Sequence, residues 1–351
     1  MKGRPEDAIC RFGAGTISRY VSALSQEIAG VRQGQDIEAI HRMRVASRRL
    51  RSALPLFETC YAVKYRAKWQ KGIRQVTRAL GQARDTDVQI ERLNNFLATI
   101  QDAQCRPGVR RLILRLKQKR SGLQAKVNMA LDELGKSQIL PIIEEQNRTR
   151  TVEQGLGEPF TSSLYMLAKG AILVMLKNFL DYEKYIQDPT AIKELHAMRI
   201  AAKRLRYTLE IFSSIYADEL KSDLQAVKTA QEMLGDVHDC DVWAVYLPVF
   251  LEEERKRIVK FYGQAGPYNL LLPGINRFQE DRYITRQKVY EEFLATWEKW
   301  KEKDLWNNLV RTVEQPTLIN PANVSYPPVT EMSGLAIQKT TTESSGVNST
   351  L

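Results

Sequence analysis

Apolar residues recur three and four positions apart along most of the chain, the spacing that gathers them on one face of a helix. This periodicity predicts helices over residues 6–33, 36–60, 62–81, 86–103 and 108–135 in the first half. Counterparts are predicted over 159–186, 189–214, 217–234, 240–262 and 278–305 in the second half. No alternating run rich in β-branched residues interrupts them, so no strand is expected. The fold class read from the pattern is all-α. Gly155, Gly157 and Pro159 punctuate the join, which divides the chain into halves at 1–157 and 158–306. Residues 307–351 form a tail whose Thr, Ser, Asn and Pro content predicts disorder. Gly263–Gly274 (GQAGPYNLLLPG) reads as an irregular turn before the last helix. The most apolar stretch, Leu164–Leu180, carries Lys169 and Lys177. It is too short and too charged to span a bilayer and is expected to be a buried helix.

Two of these helices carry one motif. His41–Phe57 reads HRMRVASRRLRSALPLF and His196–Phe212 reads HAMRIAAKRLRYTLEIF, an offset of 155 residues. A second element follows each copy: Leu80–Val88 reads LGQARDTDV and Leu234–Val242 reads LGDVHDCDV, an offset of 154. A nearly constant offset in two elements marks an internal duplication of a unit far longer than a solenoid repeat. Wound at about 100° per residue, His41, Arg44, Arg48 and Arg51 fall in a strip roughly 80° wide. Met43, Ala46, Leu50, Leu54 and Phe57 take the opposite face. The second copy has His196, Arg199, Lys203 and Arg206 on the strip, with Met198, Ala201, Leu205, Leu209 and Phe212 opposite. Arg49 and Arg204 flank the two strips.

Like charges at this spacing repel, by about 0.2–0.5 kcal/mol per pair. Such a strip needs an acidic partner, open water or a bound anion. Solvation explains most charge runs. A strip with no acid inside it, present twice, favours the anion. In the trailing element, Gly81 and Gly235 are expected to end a helix. Asp85 or Asp239 would then cap the next one, with Asp87 or Asp241 near its positive end. Divalent-metal binding by the D-x-D pair is the competing reading; capping is preferred, and neither a metal nor a cofactor is expected.

Charge sharpens the picture. The chain has 351 residues and a net charge of +11. Residues 1–157 hold 29 Lys+Arg against 15 Asp+Glu, leaving 52 − 29 = 23 against 41 − 15 = 26 for the remainder. The first half is therefore the stronger anion binder, and the partner class is a polyanion. Cys10, Cys60, Cys105 and Cys240 lie far apart without CxxC spacing. Buried thiols in a reducing cytoplasm are expected, with neither a disulfide frame nor a zinc site. MKGRPEDAIC lacks the apolar core of a signal peptide.

The long motif H-x-M-R-[VI]-A-x-[RK]-R-L-R-x-x-L-x-x-F, present twice and twice trailed by L-G-x-x-x-D-x-D-V, resembles the CHAD family, the conserved histidine α-helical domain. The resemblance covers roughly residues 8–305. It implies two helical bundles related by pseudo-two-fold symmetry, with basic helices lining a central cavity that binds inorganic polyphosphate. Some members of the family sit on storage granules, so granule association, or scaffolding of a polyphosphate-metabolising enzyme, is the implied cellular context. Carried onto this chain, the binding residues would be His41, Arg44, Arg48, Arg49 and Arg51 with His196, Arg199, Lys203, Arg204 and Arg206. The next helix adds Arg74 and Arg78, with Lys71 nearby. At an offset of 154, Arg74 becomes Lys228, whereas Arg78 becomes Glu232. Spacing alone suggests Arg111, Arg115 and Lys119 as an extension.

Arginine matches phosphate oxygens with a planar fork of donors, whereas Lys203 supplies a point charge. Neighbouring arginines should disfavour protonation of each histidine, and a bound phosphate should reverse that. Two alternatives stand beside a polyphosphate-binding module. A nucleic-acid binder is supported by charge alone, without a helix-turn-helix, zinc-finger or RNP signature. A metal-dependent phosphohydrolase, or an accessory to one, would use His41, His196 and the D-x-D pairs. Cations around each histidine and the lack of a GxxxxGK loop argue against it. A binding protein, not an enzyme, is expected.

Overall fold

Two long helices continue without interruption through the L-G-x-x-x-D-x-D-V element, where the sequence predicts a helix break. The computed structural model describes residues 5–34, 36–151, 161–216 and 219–315, and among these it is all-α. The first half comprises α1 (Pro5–Gln26), α2 (Ile28–Gln33), α3 (Ile37–Leu56), α4 (Val63–Thr99), α5 (Arg106–Ser137) and α6 (Ile139–Thr151). The second comprises α7 (Ser162–Leu180), α8 (Ile192–Phe212), α9 (Lys221–Tyr262), α10 (Leu272–Glu302) and α11 (Leu305–Glu314).

Helix α4 therefore joins the segments predicted at 62–81 and 86–103, and α9 joins those at 217–234 and 240–262. Gly81 and Gly235 are helical and lie beneath Arg44 and Arg199, and only at Gly235 does the lack of a side chain serve a close approach. A Cβ on Gly81 would stand 3.7 Å from Arg44 Nε, and one on Gly235 would stand 3.3 Å from Arg199 Nε. Asp85 and Asp239 consequently cap nothing. A mid-helix glycine costs about 1 kcal/mol relative to alanine, which packing along a long helix easily overrides.

Local chemistry accounts for other boundaries. Asp36 caps α3 by accepting from the Glu38 N–H at 2.8 Å, and Thr161 caps α7 by accepting from the Leu164 N–H. Gly263, at φ 72°, ends α9 in the left-handed conformation. The turn at 263–274 contains a 3₁₀ segment, Gly266–Leu270. Helix α6 has no counterpart among the predicted segments. Helix α11 carries ordered chain past 306, with Trp306, Leu309 and Val313 buried. The junction residues Gly155, Gly157 and Pro159, and the tail from 316, lie outside the described residues.

The main core packs the apolar faces of α1, α3, α4, α7, α8 and α9 together. At its centre the terminal phenylalanines of the two motifs meet. Phe57 and Phe212 are fully buried with ring centroids 6.1 Å apart, and Phe12 of α1 lies 6.0 Å from each. Helices α3 and α8 are thereby held against one another. A second, smaller core of Leu93, Val109, Leu112, Leu116, Trp243, Leu247, Phe250, Ile275 and Phe278 joins α4, α5, α9 and α10.

Helix α7 departs in part from the buried helix expected of Leu164–Leu180. Leu164, Ala168, Ile172, Leu176 and Phe179 are buried, while Met166 and Val174 face outward. Ser162–Tyr185 is the one helical stretch among the described residues long and apolar enough to cross a membrane, and its buried face belongs to the core.

The cysteine expectation is also corrected. Cys10 of α1 and Cys60, in the turn after α3, form a disulfide with Cα atoms 5.2 Å apart. Fifty residues separate them in sequence, but α1 crosses the end of α3 and brings them together. Cysteine usage thus no longer argues for a reducing compartment. Cys240 is buried and free, and Cys105 is free and half-buried.

Candidate anion-binding site

The strips of α3 and α8 come together where the two helices cross. Arg48 lies over the Tyr207 ring at 5.3 Å. Arg44, Arg48, Arg199 and Lys203 are close enough to act on one another electrostatically. Burial, then the charges of Arg199, Arg48 and Arg44, push the Lys203 ammonium down from its ordinary value to about 7; Asp239 opposes them. Burial also lowers Arg48, with Arg44 and Arg206 adding to it. Among the described residues, Arg48, Arg51 and Lys203 form no ion pair or hydrogen bond with a carboxylate. Arg51 is exposed, but Arg48 and Lys203 are half-buried; partly burying cations without counter-ions is costly, and an incoming anion would remove that cost.

Two of the strip cations are positioned by the trailing element. Arg44 donates from Nη2 to Asp85 at 3.1 Å. Arg199 stands 4.0 Å from Asp239, with its Nε buried and unpartnered. The second aspartate of each D-x-D pair holds a different helix: Asp87 accepts from Arg120 of α5 at 2.8 Å, and Asp241 from Arg286 of α10 at 2.5 Å. Glycine and aspartates together therefore form a cradle for arginine. No cluster of three potential metal-ligating side chains occurs among the described residues.

The histidines flank this cluster. Nδ1 of His41 and of His196 is buried without a partner. Burial lowers the pKa of both; Arg84 then acts most strongly on His41, and Arg199 and Lys203 on His196. This agrees in direction with the effect expected of neighbouring arginines. The His196 ring stacks on His238 at 3.9 Å, and burial followed by His196, Arg199 and Lys203 pushes His238 down to about 4. The environment disfavours further positive charge on these rings.

Other expected residues stand differently. Arg49 is 2% exposed and donates from Nε to Glu210 at 3.0 Å, while Arg206 donates to the other oxygen of the same carboxylate at 2.8 Å. Arg49 is therefore a tie between α3 and α8, not a ligand contact. Its motif counterpart Arg204 is exposed, because the residue matching Glu210 in the first copy is Pro55. Arg51 lies near Arg74 of α4, and Lys71, Arg74 and Arg78 are exposed. Lys228 is half-buried, 3.9 Å from Glu232. Arg115 and Arg111 approach buried Glu254 at 2.5 Å and 3.8 Å, and Lys119 lies over Tyr246. Those three belong to the α5–α9 contact and do not extend the strip.

Sequence reasoning missed Arg84, Arg92 and Tyr207. Arg84 is the position matching His238 in the trailing element, so the repeat itself held the signal. Arg92 lies 3.5 Å from Asp236 on α9. Nothing in the motif marks it.

Fold and side-chain placement together define an all-α protein in which cations of α3 and α8 converge. The chain belongs to the CHAD family: the model of the CHAD domain matches residues 15–248. CHAD domains are in general binding, non-catalytic modules, and the family is associated with polyphosphate. The fold is similar to that of the CHAD domain from the plant Ricinus communis, at TM-score 0.56 and 22% identity over 89% of this chain and 94% of that one. It is also similar to PptA from Streptomyces chartreusis, at TM-score 0.54 and 15% identity over 82% of this chain and 99% of that one. No curated protein matches the chain.

Proposed function

We propose that this protein binds inorganic polyphosphate along the paired strips of α3 and α8. The observation that carries the reading is the convergence of Arg44, Arg48, Arg199 and Lys203, with Arg48 and Lys203 lacking carboxylate partners. Arg51 and Arg74 continue the positive track toward Arg78 and Lys71, so a linear polyanion has somewhere to run. Supporting this are family membership and the duplicated motif, which favours two related bundles facing a shared basic cavity. His41 and His196 supply a hydrogen bond in either protonation state. The role is binding, with targeting to a polyphosphate-containing granule or scaffolding of a polyphosphate-metabolising enzyme as its use.

Calorimetric titration with long-chain polyphosphate, at two salt concentrations and with duplex DNA as competitor, tests this. Counter-ion release predicts tight binding that weakens steeply with salt. DNA should displace it poorly, because the site offers few aromatic platforms for bases. Equal affinity for DNA would hand the strip to nucleic acid. Hydrolysis of the polymer during titration with Mg²⁺ present would revive the phosphohydrolase reading.

A further inference from the structure

Far from the strip, the last turns of α9, the 3₁₀ turn Gly266–Leu270 and the first turns of α5 and α10 meet at a helix-end tip. We propose that this tip docks on an anionic phospholipid surface, with Phe261 and Leu270 entering the apolar layer. Phe261 is 81% exposed, Leu270 65% and Tyr262 56%. Phe261 and Tyr262 meet edge to face at 4.8 Å yet stay largely open to solvent, and an exposed aromatic pair beside lysine and arginine is the pattern of a membrane-interface anchor. Behind them opens a cleft of about 440 Å³ lined by Pro107, Leu114, Ile258, Tyr262 and Leu271, with Arg110 and Arg111 on its wall.

Charge identifies the occupant. Residues 252–280 contain five Lys+Arg against four Asp+Glu, and residues 102–120 contain seven against one, a combined excess of (5 − 4) + (7 − 1) = 7 positive charges. Arg255, Lys256, Arg257 and Arg277 are paired with Glu252, Glu253, Glu254 and Glu280, whereas Arg110 and Lys260 form no ion pair among the described residues. These segments pack against one another. Their net charge attracts an anionic leaflet. It also opposes a second copy of the chain, which would set like charges face to face. The tail beyond 315, with Lys339 against Glu331 and Glu343, lacks the complementary charge.

The tip is firm enough to present these side chains. A Cβ on Gly108 would stand 2.1 Å from the Leu271 carbonyl oxygen, and one on Gly274 would stand 1.9 Å from that of Cys105, so α5 and α10 touch backbone to backbone. Glu254, fully buried, accepts from Arg115 at 2.5 Å and Arg257 at 2.6 Å, bracing α9 to α5. Along α9, Tyr262 lies roughly 35 Å from Asp239 at the helical rise. Strip and tip can therefore be occupied together.

Co-sedimentation of the full chain with phosphatidylcholine vesicles, with and without phosphatidylglycerol, tests the proposal. Binding is expected only with the anionic lipid. Phe261→Ser with Leu270→Ser should lower the partition by about tenfold or more, with polyphosphate binding and thermal melting unchanged. Arg110→Gln with Arg111→Gln should reduce binding and its salt dependence. The proposal is overturned if vesicles of either kind are ignored, or if the Phe261/Leu270 variant partitions like the parent. It is overturned equally if Arg44→Ala with Arg48→Ala abolishes lipid binding, which would assign the lipid to the strip. Self-association lost in the Phe261/Leu270 variant, without vesicle binding, would give the face to a second copy.

Discussion

The two copies of the motif keep one geometry and differ in chemistry. In the first copy Arg44 is clamped by Asp85 at 3.1 Å, Arg48 is unpaired, and Arg84 stands beside His41. In the second, Asp239 is 4.0 Å from Arg199, Lys203 replaces Arg48, and His238 replaces Arg84. Further along, exposed Arg74 and Arg78 become Lys228 and Glu232, which approach one another. The first copy thus offers permanent charge, with Arg48 unpaired but Arg44 and Arg84 each held by a carboxylate. The second substitutes groups that titrate or are already engaged. Net charges of the two halves in sequence agree with this, but the structure shows where the difference falls: at individual matched positions along the two strips.

The sharpest way to break the comparison is at Arg49 and Arg204, matched residues with opposite fates. Arg49→Ala leaves Glu210 buried beside only Arg206 and should cost about 3–5 kcal/mol of stability, read by urea unfolding. Arg204→Ala changes an exposed side chain and should stay within about 0.5 kcal/mol. A similar loss at both sites would mean that the buried tie is not what distinguishes them. Replacing Arg49 and Glu210 together by Met and Leu should recover most of the loss.

Arg48 and Lys203 come next, as the matched cations of the proposed binding site. Removing a charge-assisted contact costs about 1.5–3 kcal/mol, so Arg48→Ala should weaken polyphosphate binding by roughly 10- to 100-fold. Its salt slope should fall by about one, and helicity should be unaffected. Lys203→Ala should weaken binding similarly at pH 6 but much less at pH 9, where the unliganded amine is already neutral. Equal losses at both pH values would contradict the lowered pKa of Lys203.

That contrast has a defined sign. Lys203 titrates near 7 in the folded protein, below its ordinary 10.5. The unfolded chain therefore holds this proton more tightly between those values. The group opposes folding fully below pH 7, and the penalty is relieved as pH rises from 7 toward 10.5. A bound polyanion favours the charged amine and reverses the shift. Binding above pH 7 should accordingly take up protons, measurable as a dependence of the calorimetric enthalpy on buffer ionisation, and affinity should fall as pH rises. Lys203→Arg should remove most of this dependence while retaining binding. His41 and His196, both lowered, add a smaller uptake at more acidic pH.

Much of this was legible in the chain because helical period and repeat spacing are local or directly countable. The strip residues, the apolar faces and the all-α class follow from i, i+3, i+4 positions alone. Three things did not. The continuity of α4 and α9 was hidden because glycine is equally suited to ending a helix and to admitting a neighbouring side chain. Only the position of Arg44 and Arg199 decides between them. The fate of Arg49 depends on Glu210, 161 residues away, and no local pattern reports such a partner. The Cys10–Cys60 bond likewise depends on the crossing of α1 and α3, not on spacing.

The glycines give the finest test. Alanine is preferred over glycine inside a helix by about 1 kcal/mol, so an exchange without collision should stabilise the protein. At Gly81 the new Cβ would meet Arg44 Nε at 3.7 Å, an ordinary contact, and Gly81→Ala should raise stability by up to about 1 kcal/mol with binding unchanged. At Gly235 the approach is 3.3 Å, with two more Arg199 guanidinium atoms at 3.7 and 3.9 Å. There the guanidinium must yield by a few tenths of an ångström. Since Asp239 already holds Arg199 loosely at 4.0 Å, Gly235→Ala should gain less stability and weaken polyphosphate binding by a factor of about two or three, a fraction of 1 kcal/mol. Paired melting curves and titrations of the two variants decide the matter. Identical behaviour would show that the cradle tolerates a methyl group and that these glycines do not set arginine position; a binding loss confined to Gly235→Ala would show that it is the looser second cradle, and not the tighter first, that has no slack.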